Sequence, residues 1–261
     1  MAQSLDLFLN LESLFGIASS ELNADDKGTP STQQQPGRIA FGVNAFGFSI
    51  YRYAKTQQSG GQSKGELAAR IANVTGTVTA ASGEVNDTTH LADTSNFTAG
   101  NEEGKLCVIT DNADSAGAAP EGEVAVISDS TASQLTFDGG YALTTAPAAS
   151  DTYANLSIFH HDDAADGDLA INVMGVLMAD RTADYYGWVQ VYGYNPGTLY
   201  TTSAVTAGNP IVADAAAVGP HGSDTEQLWV GHAPIAVAAD LASPFRTLAF
   251  LDLWHASQPI A

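Results

Sequence analysis

The spacing of apolar and polar positions changes character near residue 36. Before it, Leu7, Phe8, Leu11, Leu14, Phe15 and Ala18 form a stripe at helical spacing, while Leu5, Leu7, Leu9 and Leu11 also alternate at strand period. Leu and Glu favour a helix and Ser4 can cap it, so a helical arm is the first reading and a strand the second. A polar stretch from Asn23 to Gly37, with Asp25, Asp26, Gly28, Pro30 and Pro36, follows as a linker. The expected organisation is an N-terminal arm and linker over 1–36 and a β-rich body over 37–261, itself divisible into 37–150 and 151–261. Such an arm must bury its apolar face. Leu5, Leu7, Phe8, Leu11, Leu14 and Phe15 are the candidate interface residues, docking on a neighbouring subunit or on the arm's own body.

From Arg38 onward, short runs rich in β-branched and aromatic residues are punctuated by Gly, Asn, Asp and Pro. That pattern predicts an all-β body, a β-sandwich or β-barrel. The predicted strands are Ala40 to Ala54 with a Gly-marked bend, Glu66 to Thr79, Leu106 to Thr110, Glu123 to Asp129, Gln134 to Phe137 and Asn155 to Phe159. They continue with Ala170 to Leu177, Gly187 to Gly193, Pro210 to Ala213, Leu228 to Ala239 and Thr247 to Trp254. The Ala-rich stretches Ala213 to Val218 and Val237 to Ala242 read as turns or single helical turns. In Gly187 to Gly193, alternation sends Trp188, Gln190 and Tyr192 to one face and Val189 and Val191 to the other. Tyr185, Tyr186, Trp188 and Tyr192 are therefore candidates for an aromatic surface or for core packing.

Charge narrows the partners. Lys and Arg number 9 against 29 Asp and Glu, a formal charge of -20, and the basic residues are scattered singly. No nucleic-acid partner is expected, because binding a polyanion needs clustered cations to displace counterions. The same excess of acid disfavours anionic membranes. No apolar run approaches the roughly 18 residues needed to cross a bilayer, and the start of the sequence lacks the basic and small-residue pattern of a secretory signal. Synthesis in the cytoplasm is expected. Cys107, the one cysteine, lies in the apolar run Leu106 to Ile109 and is expected to be a buried, inert thiol.

Candidate chemistry is sparse. His160, His161, Asp162, Asp163, Asp166 and Asp168 form the densest cluster, but adjacent strand residues face opposite ways, and the spacing fits neither a zinc site nor a calcium loop. It reads as a solvated turn. There is no nucleophile elbow, no phosphate-cradling glycine loop, and no cue for a base beside Cys107. The reading is of a non-enzyme with no catalytic residues, no metal and no cofactor; His221, His232 and His255 read as polar loop or edge residues.

Two segments resemble proteins of tailed-bacteriophage virions. In Glu121 to Tyr153, Ile127, Ser128, Thr131, Leu135, Thr136 and the run Ala146 to Asp151 are similar to a β unit recurring in phage head and tail proteins. In the second, Gly187, Trp188, Val189 and Gln190, followed by Ala207, Gly208, Gly231 and Ala233, resemble the C-terminal β portion of capsid decoration, or cement, proteins. Ile50 to Lys55 is similar to an early strand of that family. The resemblance covers about half the chain and leaves out the arm and the insert from Asn86 to Glu103. It implies an all-β homo-oligomer, a trimer before a dimer, attached to the major capsid protein on the outer surface of the head and stabilising the shell by bridging its subunits. Two other classes remain: a head-fibre or receptor- and glycan-binding module using Tyr185, Tyr186, Trp188, Tyr192, Tyr194 and Tyr200, and a hydrolase using acidic residues.

Overall fold

A computed structural model of the chain describes residues 37–44, 47–57, 61–79, 83–94, 96–163, 173–200, 204–214, 217–220, 229–236 and 245–253. The candidate interface residues Leu5, Leu7, Phe8, Leu11, Leu14 and Phe15 lie outside them, as do His221, His255 and the stretch 237–242. The described residues are all-β, with no helix. They fold as two compact units: one is built from the chain up to Arg70 and from His161 onward, the other from Ile71–His160. The second unit is thus an insertion in the first, where a division of the body near residue 150 was expected. The apolar run from Glu66 to Thr79 hides the crossing. It reads as one strand, but it is two, and the chain passes between units at Arg70 and Ile71.

The strands, in chain order, are β1 (Ile39–Asn44), β2 (Gly47–Thr56), β3 (Leu67–Arg70), β4 (Val74–Thr77), β5 (His90–Ala92), β6 (Leu106–Asp111), β7 (Val124–Ser130) and β8 (Gln134–Phe137). They continue as β9 (Thr152–Leu156), β10 (His160–Asp163), β11 (Val173–Leu177), β12 (Tyr186–Tyr200), β13 (Pro210–Asp214), β14 (Ala217–Pro220), β15 (Gly231–His232) and β16 (Phe245–Asp252). The Ala-rich stretch expected to turn is strand on both sides of residues 215 and 216: Ala213 pairs with Val218, and Asp214 with Ala217.

The inserted unit is one antiparallel sheet in the order β4-β9-β6-β7-β8-β5. Its core follows the period-two rule: Cys107 and Ile109, Ala125 and Ile127, and Leu135 and Phe137 are all buried, each pair two residues apart on its strand. Leu91, Phe97 and Tyr153 complete the cluster. Burying each large side chain contributes about 1.5–3 kcal/mol, which is what holds a sheet that lacks a helix to lie against.

The larger unit holds a ten-stranded sheet whose hydrogen-bonded pairings close on themselves twice. One ring runs β2, β10, β3, β11, β12 and back to β2; the second runs β12, β14, β13, β15, β16 and back to β12. β12 belongs to both. Its first part, Tyr186 to Gln190, pairs with Lys55 to Tyr51 of β2, and its later part, Tyr192 to Tyr200, pairs with Asp252 to Phe245 of β16. Ile50, Ala54, Ala68, Leu177, Val189 and Val191 pack as a core in the first ring, and Tyr200, Ile211, Val218, Val230, Ala249 and Leu251 as a core in the second.

The strand changes partner through a bulge. Gln190 faces Tyr51 and Tyr192 faces Ile50, so two steps on β12 match one on β2. The slip puts Tyr192 against the face that carries Val189 and Val191, and not with Trp188 as strict alternation predicts. Gly193 follows with φ +98°, and a Cβ there would strike the Phe48 carbonyl, so only glycine fits. The fully buried Gln190 carboxamide fastens this bend: its Nε2 donates to the carbonyls of Tyr192 (3.1 Å) and Tyr194 (3.2 Å) and lies 3.3 Å from the Ser49 hydroxyl. Its Oε1 accepts from Asn195 Nδ2 at 3.0 Å.

Gln190→Leu keeps the volume but takes the buried donor away from the Tyr192 and Tyr194 carbonyls, at about 1–3 kcal/mol for each acceptor so deprived. Chemical denaturation is expected to show a lowered midpoint with a loss of at least that size. A loss under about 0.5 kcal/mol, within the range of an ordinary surface substitution, would mean that packing alone holds the bend.

Candidate functional site

The aromatic candidates divide by burial. Tyr186 and Trp188 are 2% and 1% exposed and pack on Tyr53, whose ring is stacked 6.0 Å from Tyr186 and edge-on 5.1 Å from Trp188. Tyr200 is also buried. Tyr53, Tyr186 and Trp188 form a core with Ala40 and Tyr51, and the Lys55 ammonium lies 5.6 Å from the Tyr186 ring centroid. Tyr185 and Tyr192 are half-buried. A sugar platform made of all these rings therefore loses Tyr186, Trp188 and Tyr200.

A different set of rings lines up near the surface of the larger unit. Phe41 on β1 stacks on Phe48 on β2 at 5.9 Å, and Phe48 lies 6.4 Å from Tyr192 on β12. Tyr192 meets Phe250 on β16 edge-on at 5.4 Å. Phe250 in turn is flanked by Tyr194, 4.9 Å away, and by His232 on β15, stacked at 4.7 Å. Register explains the far end of the row: Tyr194 and His232 both sit directly opposite Phe250 on their strands. Phe41 and Phe48 are 36% and 49% exposed, and Trp229 and Ile235, on either side of β15 in the chain, are 45% and 47% exposed. Five strands contribute to this stripe, so no single stretch of sequence displays it.

The acidic His pair departs most from its expected place. His160 to Asp163 is a strand, not a solvated turn, and both imidazoles are buried, while Asp166 and Asp168 lie outside the described residues. Alternation does send them to different surroundings. His160 Nε2 lies 2.7 Å from the Glu103 carbonyl, while His161 Nδ1 contacts Gln62 Oε1 at 2.7 Å and Nε2 contacts the Thr56 hydroxyl at 3.2 Å. Burial, reinforced by the nearby Arg181 guanidinium, pushes the His161 pKa down to about 3. His161 is a neutral, hydrogen-bonded core residue at any ordinary pH. Arg181 lies against Gly187, where a Cβ would collide with the guanidinium. Among the described residues no group of three or more His, Cys, Asp or Glu is placed to hold a metal ion.

The inserted unit buries two polar centres of its own. In one, the Tyr153 hydroxyl donates to Asp93 Oδ2 at 2.8 Å and accepts from Asn96 Nδ2 at 3.1 Å. Burial, with Asp93 alongside, pushes the phenol well above its usual pKa. In the other, Lys105 Nζ lies 2.9 Å from Glu102 Oε1, and Asn155 Nδ2 donates to Glu102 Oε2 at 2.8 Å. All three of these residues are at most 3% exposed. The turn from Asn101 to Lys105 aims Glu102 inward, with the Lys105 N–H bonded to the Glu102 carbonyl and Gly104 at φ +81°. Cys107 is buried as expected, and burial, followed by the Glu102 charge, pushes its thiol far above the range in which a thiolate forms.

Lys105 is also the one Lys or Arg in Ile71–His160, against twelve Asp and Glu, a formal charge of -11. Because that cation is buried, the surface of the insertion presents carboxylates with no lysine or arginine among them. No known protein family, no curated protein and no solved structure matches this chain.

His161 makes stability fall with acid. Its folded pKa is depressed, so the contribution is complete above the unfolded value near 6.5 and declines as pH drops from there towards 3. Unfolding between pH 6 and 4 is expected to take up about one proton at this site. His161→Gln should therefore flatten the dependence of the denaturation midpoint on pH in that window, and an unchanged slope would show that His161 is not buried neutral.

Proposed function

We propose that this protein is a structural component of a tailed-bacteriophage virion, a decoration or cement protein that stabilises the head by bridging subunits of the major capsid protein on its outer surface. The observation that carries the proposal is the half-exposed aromatic stripe from Phe41 to His232, which offers a packing surface across five strands. The resemblance of the segments around Ile127 to Thr136 and Gly187 to Gln190 supplies the context. An acidic exterior suits the role, since a protein at high density around a packaged genome gains solubility and avoids the polyanion. Homotrimers, or failing that dimers, would let one copy reach several shell subunits.

A second reading follows from the same rings. Tyr192, Tyr194 and Phe250 are edge-to-face neighbours at a surface, an arrangement on which a sugar ring can stack, so a head-fibre or glycan-binding role is the alternative.

Added at micromolar concentration to undecorated heads of the source phage, the protein is expected to bind and to raise their resistance to heat. The double variant Phe48→Ala and Tyr194→Ala should bind at least about tenfold more weakly, a loss of ~1.4 kcal/mol, with its fold intact by circular dichroism. Heads that bind nothing would contradict the proposal. Saturable binding of an oligosaccharide, abolished by the same double variant, would favour the alternative.

A further inference from the structure

The buried group Glu102, Lys105 and Asn155 has no role in a contact surface and is an expensive way to fill a core. An ion pair withdrawn from water recovers its desolvation cost only with good geometry and full hydrogen bonding, and apolar residues of the same volume often do as well. Here one partner is left wanting: the Asn155 carboxamide oxygen, in a residue with no exposure, has no hydrogen-bond donor. What the geometry does provide is an amine and a carboxamide held on the two oxygens of one carboxylate, at 2.9 and 2.8 Å.

The neighbouring strands fix this arrangement. Cys107 of β6 pairs with Asn155 of β9, and Leu106 with Leu156. Lys105 therefore enters β6 diagonally across from Asn155, and alternation turns both side chains towards the core that Cys107, Ile109 and Tyr153 occupy. The turn before β6 brings Glu102 in from the same side, where its N–H lies 3.3 Å from the Ser130 hydroxyl.

We propose that Lys105 and Asn155 join in an intramolecular isopeptide bond, formed by the folded protein itself with Glu102 as the proton carrier. The Lys105 ammonium gives a proton to Glu102, leaving a neutral amine whose lone pair adds to Asn155 Cγ while the carbonyl electrons move to Oδ1. Glu102 passes that proton to Nδ2. The carbonyl re-forms, the bond from Cγ to Nδ2 breaks, and ammonia leaves. The carboxylate then takes the second proton from Nζ. One ammonium, one carboxylate and one primary amide become one secondary amide, one carboxylic acid and one ammonia, with atoms and charge in balance. No oxidant or cofactor takes part.

Two physical effects favour the step. Ordered neighbours in a buried site replace a bimolecular encounter with an intramolecular one, which raises the effective concentration enormously. The reaction also removes the buried ion pair, since both charged groups end neutral. Its benefit is a covalent tie between β6 and β9 that closes the loop from Lys105 to Asn155, in a chain whose single cysteine can form no disulfide within it. This is a single event per molecule and is independent of the proposed place on a phage head.

The test is mass spectrometry of the purified full-length protein. Lys105 is the one Lys or Arg between Arg70 and Arg181, and trypsin does not cut at an acylated lysine. The unfolded wild-type protein is expected to weigh one ammonia less than its sequence and to yield a single fragment from Ile71 to Arg181. Glu102→Gln, nearly identical in shape, and Asn155→Ala should restore the full mass and the cut after Lys105. Both should also melt at lower temperature than the wild type. A folded wild-type protein of full mass, cut after Lys105, would overturn the proposal, as would an ammonia loss that maps elsewhere while Lys105 remains cleavable. A bond that still forms in Glu102→Gln would remove Glu102 from the reaction.

Discussion

The larger unit depends on one buried carboxamide. Gln190 holds two carbonyls of its own strand, Tyr192 and Tyr194, together with Ser49 and Asn195, and so fixes the bend at which β12 stops pairing with β2 and goes on with β16. A strand of fifteen residues cannot serve two hydrogen-bonded rings while staying straight, because sheet twist would carry its far end away from either set of partners. The bulge and Gly193 supply the change of direction, and the amide satisfies the backbone groups that the bulge disengages. The aromatic stripe is a consequence: the slip places Tyr192 beside Phe48 on one side and Phe250 on the other.

The same economy governs charge. Among the described residues, Lys55, Lys105 and Arg181 are buried in a protein with only 9 basic residues. Each is set against a specific partner or surface: a tyrosine ring, a carboxylate, and the bare Cα of Gly187. Taking cations inside makes the exterior more acidic than composition alone would, most completely in the insertion. A surface of that kind is expected to associate through shape and apolar contact and not through steering towards polyanions.

Much of the architecture was legible because alternation survives in strands with one buried face. The runs at Leu106, Val124 and Gln134 became β6, β7 and β8, with Cys107, Ile109, Ile127 and Leu135 inward. Legibility failed where tertiary partners reversed the local signal. His160 to Asp163 is polar to any reader of a linear sequence, yet it is a strand whose two histidines are buried against Gln62, Thr56 and the Glu103 carbonyl. The inserted unit escaped notice because Leu67 to Thr77 stays apolar and β-prone through the crossing at Arg70. The stripe escaped for a different reason: its rings lie on five strands, and only the register brings Phe250 opposite both Tyr194 and His232. Glu102 and Lys105 are adjacent enough in sequence to suggest a surface pair, and nothing local reveals Asn155 beside them.

Under the proposed function, this molecule works by what its surface grips. Cryo-electron microscopy of the source particle tests it most directly. The account predicts density for the β body on the outer face of the head, with the edge formed by Phe41, Phe48, Tyr192 and Phe250 at the shell contact. Particles that lack the protein, or that carry it with this stripe free in solvent, would contradict it.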